Sequence, residues 1–87
     1  MSYKIAIVKK ALKELEALPV NTNKQIVAAI DNLKEEPRPP GCKKLKGESE
    51  YIWRIRVGNY RVLYFIEDTV KIVEVRRIGH RKDIYDR

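Results

Sequence analysis

Trp53-Arg54-Ile55-Arg56-Val57-Gly58-Asn59-Tyr60-Arg61-Val62-Leu63-Tyr64 reads as two β-rich runs joined by Gly58-Asn59. A two-residue Gly-Asn link is a hairpin signal, because glycine takes the positive φ that a tight turn demands and asparagine tolerates it. With only those two residues in the loop, Val57 faces Tyr60, Arg56 faces Arg61, Ile55 faces Val62, Arg54 faces Leu63 and Trp53 faces Tyr64. Strand side chains alternate between the two faces of a sheet. One face then carries Tyr51, Trp53, Ile55, Val57, Tyr60, Val62, Tyr64 and Ile66, and the other Ile52, Arg54, Arg56, Arg61, Leu63 and Phe65. The second face gathers arginines near the turn, two of them directly opposite. Like charges across a strand pair cost roughly 0.2–1 kcal/mol. A sheet that concentrates them expects an anion there.

Outward from the hairpin, the period of the apolar residues sets the other elements. Tyr3–Val8 alternates and reads as a strand. From Lys9 to Leu18 the period becomes helical, with Val8, Ala11, Leu12, Leu15 and Leu18 recurring on one stripe, and Pro19 stops it. Thr22-Asn23-Lys24-Gln25 has the spacing of a capping box. The second helix is expected to run from there to about Glu36, with Ile26, Ala29, Ile30 and Leu33 inward, ended by Pro37, Pro39 and Pro40-Gly41. Arg38–Glu50 reads as a polar, basic loop, either a phosphate-contacting rim or a solvated connection. A turn at Asp68-Thr69 leads into a strand, Val70–Arg77. In that register Val73 and Val75 face the core, Arg76 lies opposite Arg61, and Glu74 partly offsets the arginine cluster. The expected fold is one α+β domain over residues 1–87. It has the order β-α-α-β-β-β, a helical hairpin packed on a twisted, mainly antiparallel sheet, and a short C-terminal tail or helix.

Eighty-seven residues suit one domain with one modest core. A single cysteine, Cys42, excludes an intrachain disulfide and suits a reducing compartment. No N-terminal apolar run resembles a signal peptide, and no stretch approaches the ~20 apolar residues of a membrane span, so a cytoplasmic protein without a membrane role is expected. The net charge is +7. Residues 1–37 hold six Lys/Arg against five Asp/Glu, and residues 38–87 hold thirteen against seven. A basic C-terminal half suits nucleic acid or an acidic partner, and equally suits plain solubility.

One His and one Cys do not make a zinc set, no acidic cluster suits magnesium, and no glycine-rich phosphate loop is present, so no metal or cofactor is expected. No serine or threonine sits by a plausible base. Phosphate chemistry fits better. Arginine's planar fork grips phosphate oxygens bidentately and stays charged at physiological pH. Fixed guanidinium groups can stabilise the added charge of a phosphoryl transition state. RNA brings its own nucleophile, the 2′-OH, so cleavage requires only a cationic cradle and groups that move protons. Arginine is poor at the latter. His80 and Tyr85, with help from Glu74, are the candidates. Tyr85 could equally stack on a base. Set against these, a lone histidine near a C-terminus is commonly a surface residue, and such a tyrosine commonly anchors a tail.

The run Trp53–Tyr64 resembles the signature of RelE toxins of the RelE/ParE superfamily. So do Lys43-Lys44-Leu45-Lys46-Gly47 before it, Gly79-His80-Arg81-Lys82-Asp83-Ile84-Tyr85 after it, Ala11-Leu12-Lys13-Glu14-Leu15, and the proline after the second helix. The resemblance implies a toxin of a type II toxin–antitoxin pair that enters the ribosomal A site and cleaves mRNA without a metal. It also implies neutralisation by a RelB-like antitoxin. By this likeness Arg54 and Arg56 match positions often occupied by lysine that bind base and phosphate. Arg61 matches the arginine on the scissile phosphate, Arg81 one that stabilises charge or the leaving group, and Tyr85 a tyrosine that stacks on the mRNA. Arginine at 54 and 56 weakens the usual candidates for general base, which leaves His80 as the expected proton-transfer group. Lys43, Lys44, Lys46, Arg76, Arg77 and Lys82 are expected to contact RNA or ribosome. Two alternatives stand beside this: a ParE-like inhibitor of DNA gyrase, against which Arg61, Arg81 and Tyr85 argue, and a homologue that binds RNA or a partner without cutting.

Overall fold

The computed structural model describes residues 2–47 and 49–84. The chain runs β1 (Lys4–Ile7), α1 (Lys9–Glu16), α2 (Val20–Asn32), β2 (Lys43–Lys46), β3 (Tyr51–Val57), β4 (Tyr60–Glu67) and β5 (Ile72–His80). The five strands form one sheet in the order β1-β5-β4-β3-β2, antiparallel except for the parallel pair β1–β5. The α+β architecture is the expected one, with an additional strand, β2.

The β3–β4 hairpin has the expected register at all five pairs from Trp53↔Tyr64 to Val57↔Tyr60. Gly58 takes φ +60, while Lys71 is the only non-glycine at positive φ among the described residues. Asn59 therefore keeps a negative φ, the pattern of a type II′ turn, which needs glycine only at its first position. The face opposite the arginines builds the core. Ile55, Val62, Tyr64, Ile66, Val73, Val75 and Ile78 pack against Ala11 and Leu15 of α1, Ile26 and Ile30 of α2, and Leu33. Tyr64 is completely buried, and its hydroxyl donates to the Pro37 carbonyl at 2.7 Å. Burial pushes that hydroxyl's pKa up, with Cys42 adding to the rise and Arg38 opposing it. Tyr51, at the start of β3, is instead 52% exposed.

Four expectations are corrected. The capping box does not form: α2 begins at Val20 with Pro19 as its N-cap and no side-chain cap, so Thr22 lies inside the first turn. Proline's fixed φ near −65° suits that entry position. Asn23 instead donates to the Leu15 carbonyl at 2.9 Å, tying the two helices together. α2 also ends at Asn32, four residues before Glu36, and 33–35 continue as turn. The supposed loop 38–50 contains β2, an edge strand on β3 with Lys44↔Trp53 and Leu45↔Ile52 paired. One buried apolar residue among three exposed lysines gives almost no strand signal, and lysine is what an edge tolerates.

The fourth correction concerns β5. The turn before it spans four residues, so Glu67 pairs with Ile72, and the register shifts between Leu63 and Tyr64. Arg76 is the extra, bulged residue. An unbroken register from Tyr64↔Val75 would set Arg77 opposite Val62 on the core face. The bulge places Ile78 there and brings Gly79, not Arg76, opposite Arg61.

Candidate phosphate-binding cleft

Arg56 and Arg61 are cross-strand neighbours on the face away from the helices. Together with Arg81 and the turn residues Gly58, Asn59 and Tyr60 they line a cleft of about 140 Å³. Arg56 is exposed and Arg61 half-buried. The backbone N–H of Arg81 donates to the Asn59 carbonyl at 2.9 Å, so the chain leaving β5 is fastened to the hairpin turn.

Gly79 makes the rest of the cleft possible. A Cβ there would lie 2.8 Å from Ile84 Cδ1, closer than two such carbons can approach. Backbone bonds from Asp83 and Ile84 to the His80 carbonyl curl the tail into a turn. Ile84, 2% exposed, thereby seats on the bare backbone opposite Arg61. Its carbonyl accepts from Arg61 Nη1 at 3.4 Å. A glycine inside a strand often marks such a close approach. That signal is present in the sequence, where the expected strand ends at Arg77 and leaves Gly79 beyond it.

The other expected site residues distribute unevenly. Arg54 shares the face of Arg56 but is buried, 5% exposed, and does not border the cleft. His80 pairs with Tyr60, one position beyond the Arg61↔Gly79 pair, and so emerges on the opposite face. Its ring meets Tyr60 edge-on at 5.4 Å, and its Nδ1 accepts the Lys82 N–H at 3.2 Å. A neutral imidazole so bonded carries its hydrogen on Nε2. Arg76 is held by Glu50 and, at 2.7 Å, by Glu74, with its guanidinium 4.8 Å from the Phe65 ring centre. Burial pulls its pKa down, but the two carboxylates outweigh this and raise it. Glu74 thus serves Arg76 rather than the cleft. Arg77 Nε donates to Glu14 Oε2 at 3.1 Å, and the other Glu14 oxygen accepts the Ile78 N–H at 2.9 Å. The sequence reading missed this anchor from α1 to the strand leading to Arg81. Lys43, Lys44, Lys46 and Lys82 are exposed. Tyr85 lies outside the described residues.

Chemically, guanidinium groups converging on a small hollow suit a phosphate-sized oxyanion. Among the described residues no group of three or more His, Cys, Asp or Glu side chains could hold a metal ion.

Residues 5–85 match the family profile of the ParE toxin of type II toxin–antitoxin systems. The chain is 34% identical over 88 residues to the putative toxin RelE1 of Methanocaldococcus jannaschii, covering 98% of this chain and 97% of that one. It is 35% identical over 88 residues to toxin RelG of Mycobacterium tuberculosis, covering 100% of both. Among solved structures, the archaeal RelE–RelB complex from Pyrococcus horikoshii matches with a TM-score of 0.83 and 28% identity, over 97% of this chain and 100% of the other.

Proposed function

The chain belongs to the RelE/ParE superfamily of type II toxin–antitoxin toxins, and from that premise we propose that it is an endoribonuclease that cuts mRNA in the ribosomal A site. The observation that carries this reading is the cleft of Arg56, Arg61 and Arg81. In the proposed reaction the 2′-oxygen attacks the adjacent phosphorus. The bond from phosphorus to the 5′-oxygen breaks, leaving a 2′,3′-cyclic phosphate and a 5′-hydroxyl. The 2′-OH loses its proton to a base and the departing 5′-oxygen gains one. Arg61 and Arg56 neutralise the phosphoryl oxygens, whose charge grows toward the transition state, and Arg81 faces the leaving side. Removing one such donor typically costs about 10²–10³ in rate.

His80 is the proposed proton-transfer group. Its ring stands on the sheet face opposite Arg56 and Arg61, so it must reach the cleft around its contact residue Tyr60, which together with its neighbour Arg81 lines the cleft. To act as base through Nδ1 it must release the Lys82 N–H, so its contribution belongs at the low end of the usual range, about 10²-fold. Arg54 serves from behind the cleft, and Tyr85 stacks on the mRNA base by its likeness to the family's tyrosine. The partner on this reading is a RelB-like antitoxin, as the relative from Pyrococcus horikoshii has, and the place of action is the cytoplasm, on ribosomes.

The test is cleavage of mRNA programmed on purified ribosomes. Wild type should cut, and Arg61→Ala and Arg81→Ala should each cut about 10²–10³-fold more slowly while keeping the fold. Equal cutting by both variants would overturn the site. The match to the ParE profile favours one second reading, poisoning of DNA gyrase. A gyrase cleavage-complex assay with the same preparation separates the two.

A further inference from the structure

Away from the cleft, the sheet presents a second basic surface that the cleavage reaction does not use. Trp53 of β3 is half-buried, and Arg38 holds its guanidinium 4.8 Å from the ring centre. Arg38 is not free to leave. Its two Nη atoms bond both oxygens of Asp68, at 3.2 and 2.8 Å, and the Tyr3 hydroxyl donates to the same carboxylate at 2.7 Å. Across the strand pair from Trp53 lies Lys44, whose ammonium sits 4.0 Å from the Tyr51 ring centre and 5.8 Å from that of Trp53. Lys44 is exposed and makes no ion pair among the described residues. Arg38, Lys44, Glu50, Tyr51, Trp53, Phe65 and Ile66 line a hollow of about 300 Å³, in which the Glu50 carboxylate is already paired with Arg76.

Two aromatic rings, one pinned cation and one exposed cation form a stacking platform. Sequence-tolerant binding of single-stranded nucleic acid combines these parts: π-faces for the bases and cations for the backbone. We propose that Tyr51 and Trp53 form a second RNA subsite, which takes one unpaired nucleobase in the place now held by the Lys44 ammonium. The base stacks against the rings, with Trp53 backed by Arg38. The displaced ammonium moves outward to the phosphate of the same nucleotide. Lys43 and Lys46, on the same exposed edge strand, extend the charge along the backbone. Tyr51 lies five residues along β3 from Arg56, or about 17 Å at strand rise, so the platform and the cleft are separate places on one molecule. The choice of RNA as occupant rests on the nuclease reading; the platform itself does not require cleavage.

Trp53 is the only tryptophan and therefore a built-in probe. The experiment titrates the full chain with a 2′-O-methyl RNA hexamer, which offers no free 2′-OH for cleavage, and with an abasic backbone of equal length, while following Trp53 emission. The hexamer should quench the emission, and the abasic backbone should bind without quenching. Tyr51→Ala, at an exposed strand end, should weaken the quenching titration roughly 5- to 150-fold. Equal quenching by the abasic backbone would reveal a purely electrostatic patch, such as an acidic protein partner would use, and overturn the proposal. Binding of the hexamer with unchanged emission, or indifference to Tyr51→Ala, would also overturn it. Failure of the ribosome cleavage assay alongside intact quenching would refute the nuclease reading and not the platform.

Discussion

Replacing Arg56 with glutamine should make the free protein more stable while it weakens the anion site. Arg56 and Arg61 are directly opposed across β3 and β4, and Arg81 borders the same hollow. Arg56 is exposed, so little packing is lost with its head group. Taking about 7 Å as the order of separation for long side chains on neighbouring strand positions, two guanidinium charges repel by about 0.6 kcal/mol at the dielectric constant of water. Counting a similar interaction with Arg81, relief is about 1 kcal/mol in about 0.01 M salt, where screening acts over ~30 Å. In about 1 M salt the screening length falls to ~3 Å and about a tenth of the effect survives. For a domain of this size the low-salt gain corresponds to a rise in Tm of about 4–8 °C, and the high-salt gain to under about 1 °C. Thermal unfolding of wild type and Arg56→Gln at the two salt concentrations measures this. Contributions from stem packing or strand propensity do not depend on salt, so the difference between the two gains isolates the repulsion. Inorganic phosphate should then raise the Tm of the wild type more than that of the variant, since stabilisation by a ligand follows its affinity. A variant that is less stable in low salt, or a gain that salt does not touch, would refute the claim that the arginines are held against one another for an anion.

Gly79→Ala should unseat Ile84, because the new Cβ falls 2.8 Å from its Cδ1. Ribosomal cleavage should drop at least about tenfold while far-ultraviolet circular dichroism stays that of wild type, and full activity would mean that the tail does not position the cleft. Tyr64→Phe keeps the ring but strands the Pro37 carbonyl, at an expected cost of about 1–2 kcal/mol in urea unfolding with an unchanged m-value. Asp68 should shape the acid limb of stability. The hydrogen bonds from Arg38 and then Tyr3 hold its carboxyl at about 2, below its ordinary 3.8. The folded form therefore binds its proton later than the unfolded one. Its contribution is complete above about pH 4 and vanishes as pH falls toward about 2. Asp68→Asn should flatten the stability profile across that interval and leave its shape at higher pH unchanged.

Much of the fold was legible because the local signals agree with one another. The Gly58-Asn59 turn and the period-2 runs beside it fixed the hairpin pairing, and the helical stripes of α1 and α2 named the residues that cover it. The elements read wrongly were those whose stability comes from neighbours. β2 has one apolar residue in four and becomes a strand only because β3 offers it a paired edge. The capping box failed because a proline three residues earlier already starts the helix. Arg54 looked like a surface cation by alternation, yet the sheet buries it.

For the site, the residue types and their clustering near the turn were set by the sequence alone. Alternation puts Arg56 and Arg61 on one face whatever else the chain does, because the pleat has a period of two. Which third group joins them was not. A four-residue turn and a one-residue bulge, each costing the backbone little, move β5 along β4 so that Gly79 replaces Arg76 opposite Arg61. Arg76 is left to Glu50 and Glu74, while the bare glycine admits Ile84 and brings Arg81 to the cleft. Local residue pattern is enough to set a basic hairpin face with a tail that could serve it. Tertiary structure decided the register between them, because bulges are selected by how well Val75 and Ile78 both reach the core, a long-range packing requirement that no local window of residues contains.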